Sequence, residues 1–153
     1  MIPVQRLNHA VLYVRDAEVS AKFYCEVLGF EVDDALRGAV FLRASGTSNH
    51  HDLGLFSVGP NAPGPERGRV GLYHLAWQVP TIHDIANARL ELQRVGAYTG
   101  ESDHGVSKSV YAHDPDGNEF EIMYEVPRAQ WGEYEHHAVV QPLDLPAEIE
   151  RFG

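Results

Sequence analysis

Residues 7–14 read LNHAVLYV and residues 72–79 read LYHLAWQV. Each is an apolar run with a histidine in third place, the pattern of a strand buried on at least one face. A helix signal follows both. After the first run, Asp16 suits an N-cap. Val19, Phe23 and Val27 then recur at helical spacing with Tyr24 and Leu28 beside them, an apolar stripe. Gly29 closes the segment as a C-cap glycine does. After the second run, Thr81 followed by Asp84 resembles a capping box, Ile85, Ala88, Leu92 and Val95 make the stripe, and Gly96 closes it. The two histidines lie 65 positions apart and the two glycines 67, so the copies match with a two-residue insertion in the second.

Working outward, three extended segments follow each helix, roughly 30–34, 38–44 and 52–58, then roughly 97–101, 106–112 and 118–126. Turn chemistry separates them, at Arg37-Gly38, at Gly46–Asn49 and at Asp114-Pro115-Asp116-Gly117-Asn118. Each half therefore reads βαβββ. The proline- and glycine-rich stretch GPNAPGPERGRV, residues 59–70, is the linker. The expected fold class is α+β, with two paired βαβββ modules forming an open, curved mixed sheet around a metal cleft. A single domain spans residues 1–127, with modules at about 1–60 and 68–127. Residues 128–153 form an acidic C-terminal tail with one short helix near 145–152. One module alone buries little core, whereas two joined modules would place the equivalent histidines in one shared cleft.

Composition narrows the function classes. The chain has 153 residues, 44% of them hydrophobic and 22% charged, as a globular domain with a core has. Its formal charge of −10 repels phosphate backbones, so no nucleic-acid partner is expected. No apolar run approaches the roughly 20 residues of a membrane span, and MIPVQRLNHA lacks the apolar core of a signal peptide. The single cysteine, Cys25, cannot form an internal disulfide. The expected location is the cytoplasm.

His9 and His74 occupy equivalent positions of the two copies. In the last strand, NEFEIMYEV, Glu121 lies among apolar neighbours, while Glu119 and Glu125 are expected on the solvent face. A buried carboxylate needs a partner or a metal. Two histidines and one carboxylate form the facial triad of non-haem Fe(II) oxygenases. The same donors suit Mn(II) and Zn(II), so spacing alone does not choose the metal. The position equivalent to Glu121 in the first half is Gly54, which has no side-chain ligand to offer. An octahedral ion would keep three open positions, as a bidentate substrate plus dioxygen requires.

The run from His104 through Val110-Tyr111 and Asp114-Pro115-Asp116-Gly117 to Glu121 closely resembles the signature of type I extradiol ring-cleaving dioxygenases. Those enzymes belong to the vicinal oxygen chelate superfamily, with glyoxalase I and the bleomycin-resistance proteins. Residues 40–56, VFLRASGTSNHHDLGLF, resemble the stretch of biphenyl-diol dioxygenases that carries a His-His pair before a strand. One departure is Ser102, two residues before His104, where the family has glycine, asparagine, threonine or an aliphatic residue. The resemblance covers about residues 6–126 and is closest to the one-domain members.

It implies that His9, His74 and Glu121 hold Fe(II), or Mn(II). It implies that His51 assists deprotonation of the diol and stabilises charge developing on dioxygen, with adjacent His50 as the alternative. It implies that His104 and Tyr111 hydrogen-bond the substrate oxygens or help transfer protons. The expected activity is catechol 2,3-type extradiol cleavage of a small aromatic diol, with O2 as co-substrate, in a homo-oligomer. The competing readings are a glyoxalase-type lyase or isomerase, which wants a fourth ligand, and a metal-free bleomycin-resistance-like binding protein, which lacks the complete ligand set.

Overall fold

The Asp16 side chain accepts from the backbone N–H groups of Glu18 and Val19, at 2.9 and 3.2 Å, and starts the helix α1, Ala17–Leu28. Gly29 ends it at φ +70°, a left-handed conformation that only glycine adopts cheaply. The computed structural model describes all 153 residues. Before α1 runs β1 (Ala10–Val14), and after it come β2 (Glu31–Leu36), β3 (Ala39–Arg43) and β4 (Leu53–Ser57). These strands make one sheet in the order β1-β4-β3-β2, with β1 parallel to β4 and the other pairs antiparallel.

The second copy repeats this pattern. It comprises β5 (His74–Val79), α2 (Ile82–Arg94), β6 (Tyr98–Asp103), β7 (Ser107–His113) and β8 (Glu119–Glu125). Its sheet has the order β5-β8-β7-β6, again with only the first pair parallel. The capping box of Thr81 and Asp84 starts α2. Two short 3-10 turns over 128–136 and the helix α3 (Leu145–Phe152) complete the chain. The fold is α+β with two open mixed sheets, each carrying one crossover helix. No helix is long and apolar enough to cross a membrane.

Two compact units result. Met1–Pro65 with Asp114–Gly117 forms one, and Glu66–His113 with Asn118–Gly153 forms the other. In the first, α1 packs on β3 and β4 over buried Leu12, Val14, Leu42, Leu53 and Leu55. In the second, α2 packs on β7 and β8 over Ile82, Ile85, Leu92, Val110, Phe120 and Ile122. Each fully buried side chain of this size stabilises by about 1.5–3 kcal/mol.

The α1 stripe is rotated from the one read in the sequence. Val19 is 55% exposed, and the buried face is Ala17, Ser20, Ala21 and Tyr24. Small side chains let the helix approach the sheet, and Tyr24 donates its hydroxyl to Asp114 at 3.2 Å. Asp116 of the same turn takes the Arg15 guanidinium at 2.7 Å and the Arg15 backbone N–H at 3.0 Å. The Asp-Pro-Asp-Gly turn is therefore an anchor for the first unit as well as a connection between strands.

Candidate metal centre

Register places the second unit's donors. β5 and β8 run parallel, with His74 opposite Glu119 and Ala76 opposite Glu121. Glu121 is only 8% exposed. Its Oε2 lies 3.1 Å from Nε2 of His74, which opens β5. Two donors each about 2.1 Å from one octahedral cation, at right angles to each other, sit about 3.0 Å apart. The pair therefore fits adjacent coordination positions of a divalent ion.

Glu119 is not on the solvent face. Its side chain is 12% exposed, and its Oε1 is 3.4 Å from His74 Nδ1. That nitrogen is buried and makes no hydrogen bond. The expectation that Glu119 lies with Glu125 on the solvent face fails, because residues 119 and 121 share one inward face and only Glu125 is exposed. His113 and Arg67 also approach Glu119, at 3.6 and 3.8 Å. A carboxylate behind a ligand histidine fixes ring orientation and leaves the other nitrogen for the metal.

Tyr111 stands opposite Glu121 across the β7–β8 pair, its ring 5.8 Å from that of His74. Its hydroxyl is 2.6 Å from Nε2 of His104. His104 Nδ1 is 2.9 Å from the carbonyl of Val139. Burial first, then the Glu121 charge, push the Tyr111 hydroxyl up to about 12, against a smaller lowering by Ser109. Tyr111 therefore stays protonated at neutral pH.

The first unit brings His9 and His51 together, with ring centroids 4.6 Å apart. His9 lies one residue before β1 and is exposed, not inside the strand as read from the sequence. His51 also packs on Phe41, centroid to centroid 5.1 Å. His50 turns outward, 73% exposed, with Nδ1 3.2 Å from Asp33. The structure gathers no group of three His, Cys, Asp or Glu side chains that could hold a metal ion. His9 and His51 belong to the first unit, and His74, His104, Tyr111 and Glu121 to the second.

Sequence reasoning missed the buried clamp behind His51. Asp52 accepts from the Ala44 backbone N–H at 2.9 Å, Thr47 Oγ1 at 2.7 Å and Asn49 Nδ2 at 2.7 Å. Asn49 also donates to the Asn8 carbonyl and accepts from Arg6 and Asn8. The clamp thus fixes both the His50-His51 loop and the segment that ends at His9. Its signal was the repeat itself, since Asp52 precedes Gly54 as Glu119 precedes Glu121.

Burial alone would raise the Asp52 carboxyl, but its three donors and the Arg6 charge hold it below its ordinary value. A carboxyl held low in the folded state stabilises above its unfolded pKa of about 3.9, and that contribution disappears as pH falls through the lower folded value. Asp52→Ala should cost roughly 2–4 kcal/mol at pH 7, because three donors lose their acceptor. Melting curves should show the wild type losing more stability than Asp52→Asn on acidification below about pH 4. Parallel acid profiles would remove Asp52 from this role.

The duplicated βαβββ module, with an imidazole and a carboxylate paired in its second copy, defines the class by its fold. The glyoxalase/bleomycin resistance protein/dioxygenase superfamily model matches residues 6–122, and the chain belongs to that family. It is 36% identical over 151 residues to the catechol-2,3-dioxygenase of Bacillus subtilis (strain 168), covering 96% of this chain and 52% of that protein. It is 35% identical over 129 residues to biphenyl-2,3-diol 1,2-dioxygenase 3 of Rhodococcus globerulus, covering 82% of this chain and 66% of that protein. The chain thus spans between half and two thirds of these relatives' length. A glyoxalase/dioxygenase structure from Nostoc punctiforme superposes with a TM-score of 0.66 at 23% identity, covering 83% of this chain and 97% of that one, which shows the shared fold.

Proposed function

We propose that the protein is an extradiol ring-cleaving dioxygenase that inserts O2 next to the diol of a catecholic substrate. The observation that carries this reading is the pair His74 Nε2–Glu121 Oε2 at 3.1 Å, with the Tyr111–His104 hydrogen bond beside it. His9, His74 and Glu121 would hold Fe(II) or Mn(II). A bound cation of that kind supplies Lewis acidity toward the diol and a template that sets the diol and O2 side by side.

The protein's own groups handle the protons. Tyr111 oxygen accepts from a diol O–H while its own proton passes to His104 Nε2. Proton and charge then rest on an imidazole whose Nδ1–H is held by the Val139 carbonyl. His51, packed against His9 and Phe41 in the first unit, is the residue assigned to assist deprotonation of the diol and to stabilise charge developing on dioxygen. The lyase or isomerase reading is disfavoured by Gly54, which pairs with Val11 and Phe41 as Glu121 pairs with Ala76 and Tyr111. The metal-free reading is disfavoured by retention of the full donor set.

The test is oxygen uptake after anaerobic loading with Fe(II) or Mn(II), across a panel of catechols, with one O2 consumed per diol and a yellow product. His51→Ala and Tyr111→Phe should retain metal yet lose about 10²–10⁴ in turnover, the usual scale of general acid–base catalysis. A metal-loaded protein that consumes no oxygen with any catechol would overturn the reading.

A further inference from the structure

The residues after β8 are tied down at four places. Trp131 donates Nε1 to the Val126 carbonyl at 2.6 Å. The Tyr134 ring lies against Gly105, at φ +75°, where any β-carbon would collide with it. Gln141 pairs with Asp103 at the end of β6 through two backbone hydrogen bonds of 2.8 and 2.9 Å. Beyond it, α3 packs on α2 and brings Glu148 to Lys108.

Lys108 is the centre of this arrangement. It is 2% exposed, with its ammonium 2.6 Å from Asp103 and 3.3 Å from Glu148. A buried ammonium is tolerated only where carboxylates surround it. Asp103 also takes the Gly105 backbone N–H at 2.7 Å. One buried cation thus joins the β6–β7 hairpin to α3, and the segment between Gln141 and His137 is drawn across His104.

The consequence is chemical. A carbonyl oxygen only accepts, so the contact at 2.9 Å from Val139 requires the proton of His104 to be on Nδ1. In the neutral imidazole Nε2 is then a bare acceptor, with the Tyr111 hydroxyl at 2.6 Å as its donor. We infer that residues 137–152 are a positioning strap, in which the Asp103–Lys108–Glu148 latch holds the Val139 carbonyl on His104, fixes its tautomer, and thereby commits the Tyr111 proton to His104. Tyr111 oxygen is left with lone pairs for a diol proton. This role takes its meaning from the dioxygenase reading, whereas the tautomer is a property of the metal-free chain.

The experiment uses full-length, metal-free, 15N-labelled protein. Long-range 1H–15N imidazole spectra report the tautomer of His104, whose signals are assigned by their loss in His104→Gln. The wild type should show the Nδ1–H form, and Tyr111→Phe should keep it because the strap, not the tyrosine, sets it. Glu148→Gln should shift the Nδ1–H to Nε2–H ratio by roughly 5–10-fold toward Nε2–H, the scale of one hydrogen bond loosened. An Nε2–H wild type overturns the inference. So does a tautomer that flips in Tyr111→Phe, or a folded Glu148→Gln with unmoved His104 signals. If Glu148→Gln does not fold, the wild-type and Tyr111→Phe spectra still decide. Failure of the dioxygenase reading would appear instead in oxygen uptake and leave these spectra as they are.

Discussion

Glu121→Ala should empty the metal centre. Glu121 is the one buried carboxylate within hydrogen-bonding distance of His74 Nε2, and the register-equivalent position of the first module is a glycine that cannot stand in for it. Loss of a second-sphere group costs about 10–100-fold in metal affinity, so loss of a direct ligand should exceed that range. Metal analysis of the reconstituted, desalted variant should find almost no bound Fe or Mn, and oxygen uptake with catechols should vanish. The fold should persist, because removing an ionised group from a buried position also removes its desolvation cost. Full metal occupancy and turnover in Glu121→Ala would remove this residue from the ligand set.

Phe120→Ala should be the most destabilising single change near the site. Phe120 is buried, sits between the two inward carboxylates in sequence, and points to the opposite face of β8, where α2 packs. Deleting a buried phenylalanine side chain costs about 3–5 kcal/mol, through lost transfer energy plus the cavity left behind. For a chain of this size that lowers the melting temperature by roughly 6–20 °C. The variant should also hold metal more weakly, since Phe120 is the anchor that keeps Glu119 and Glu121 facing the other way. A melting temperature within about 2 °C of wild type, a shift worth less than about 1 kcal/mol, would show that this side of the sheet repacks without cost.

Much of this architecture was legible because it occurs twice. Helix caps were readable at Asp16, Thr81, Gly29 and Gly96, where local backbone chemistry determines the boundary. Repeat arithmetic also matched Gly54 to Glu121, which the strand registers reproduce through Val11 and Ala76. What was not legible depends on contacts distant in sequence. The α1 stripe rotated because Tyr24 reaches Asp114, 90 residues away. Glu119 was assigned to solvent because its partners, His74, His113 and Arg67, come from a neighbouring strand, the end of β7 and the linker. Val139 gave no signal at all, since its contribution is a main-chain carbonyl.

The matched registers leave the two modules unequal in what they can donate. Where the second copy has Glu121 facing Tyr111, the first has Gly54 facing Phe41, while both keep the histidine two residues before the paired β1 or β5 position. Full symmetry would put a carboxylate at both positions, and this chain offers one. A β-carbon on Gly54 would sit in van der Waals contact with Val11 at 3.4 Å and with the Phe41 ring at 3.5 Å, so the first module fills with apolar side chains the space where the second presents its carboxylate.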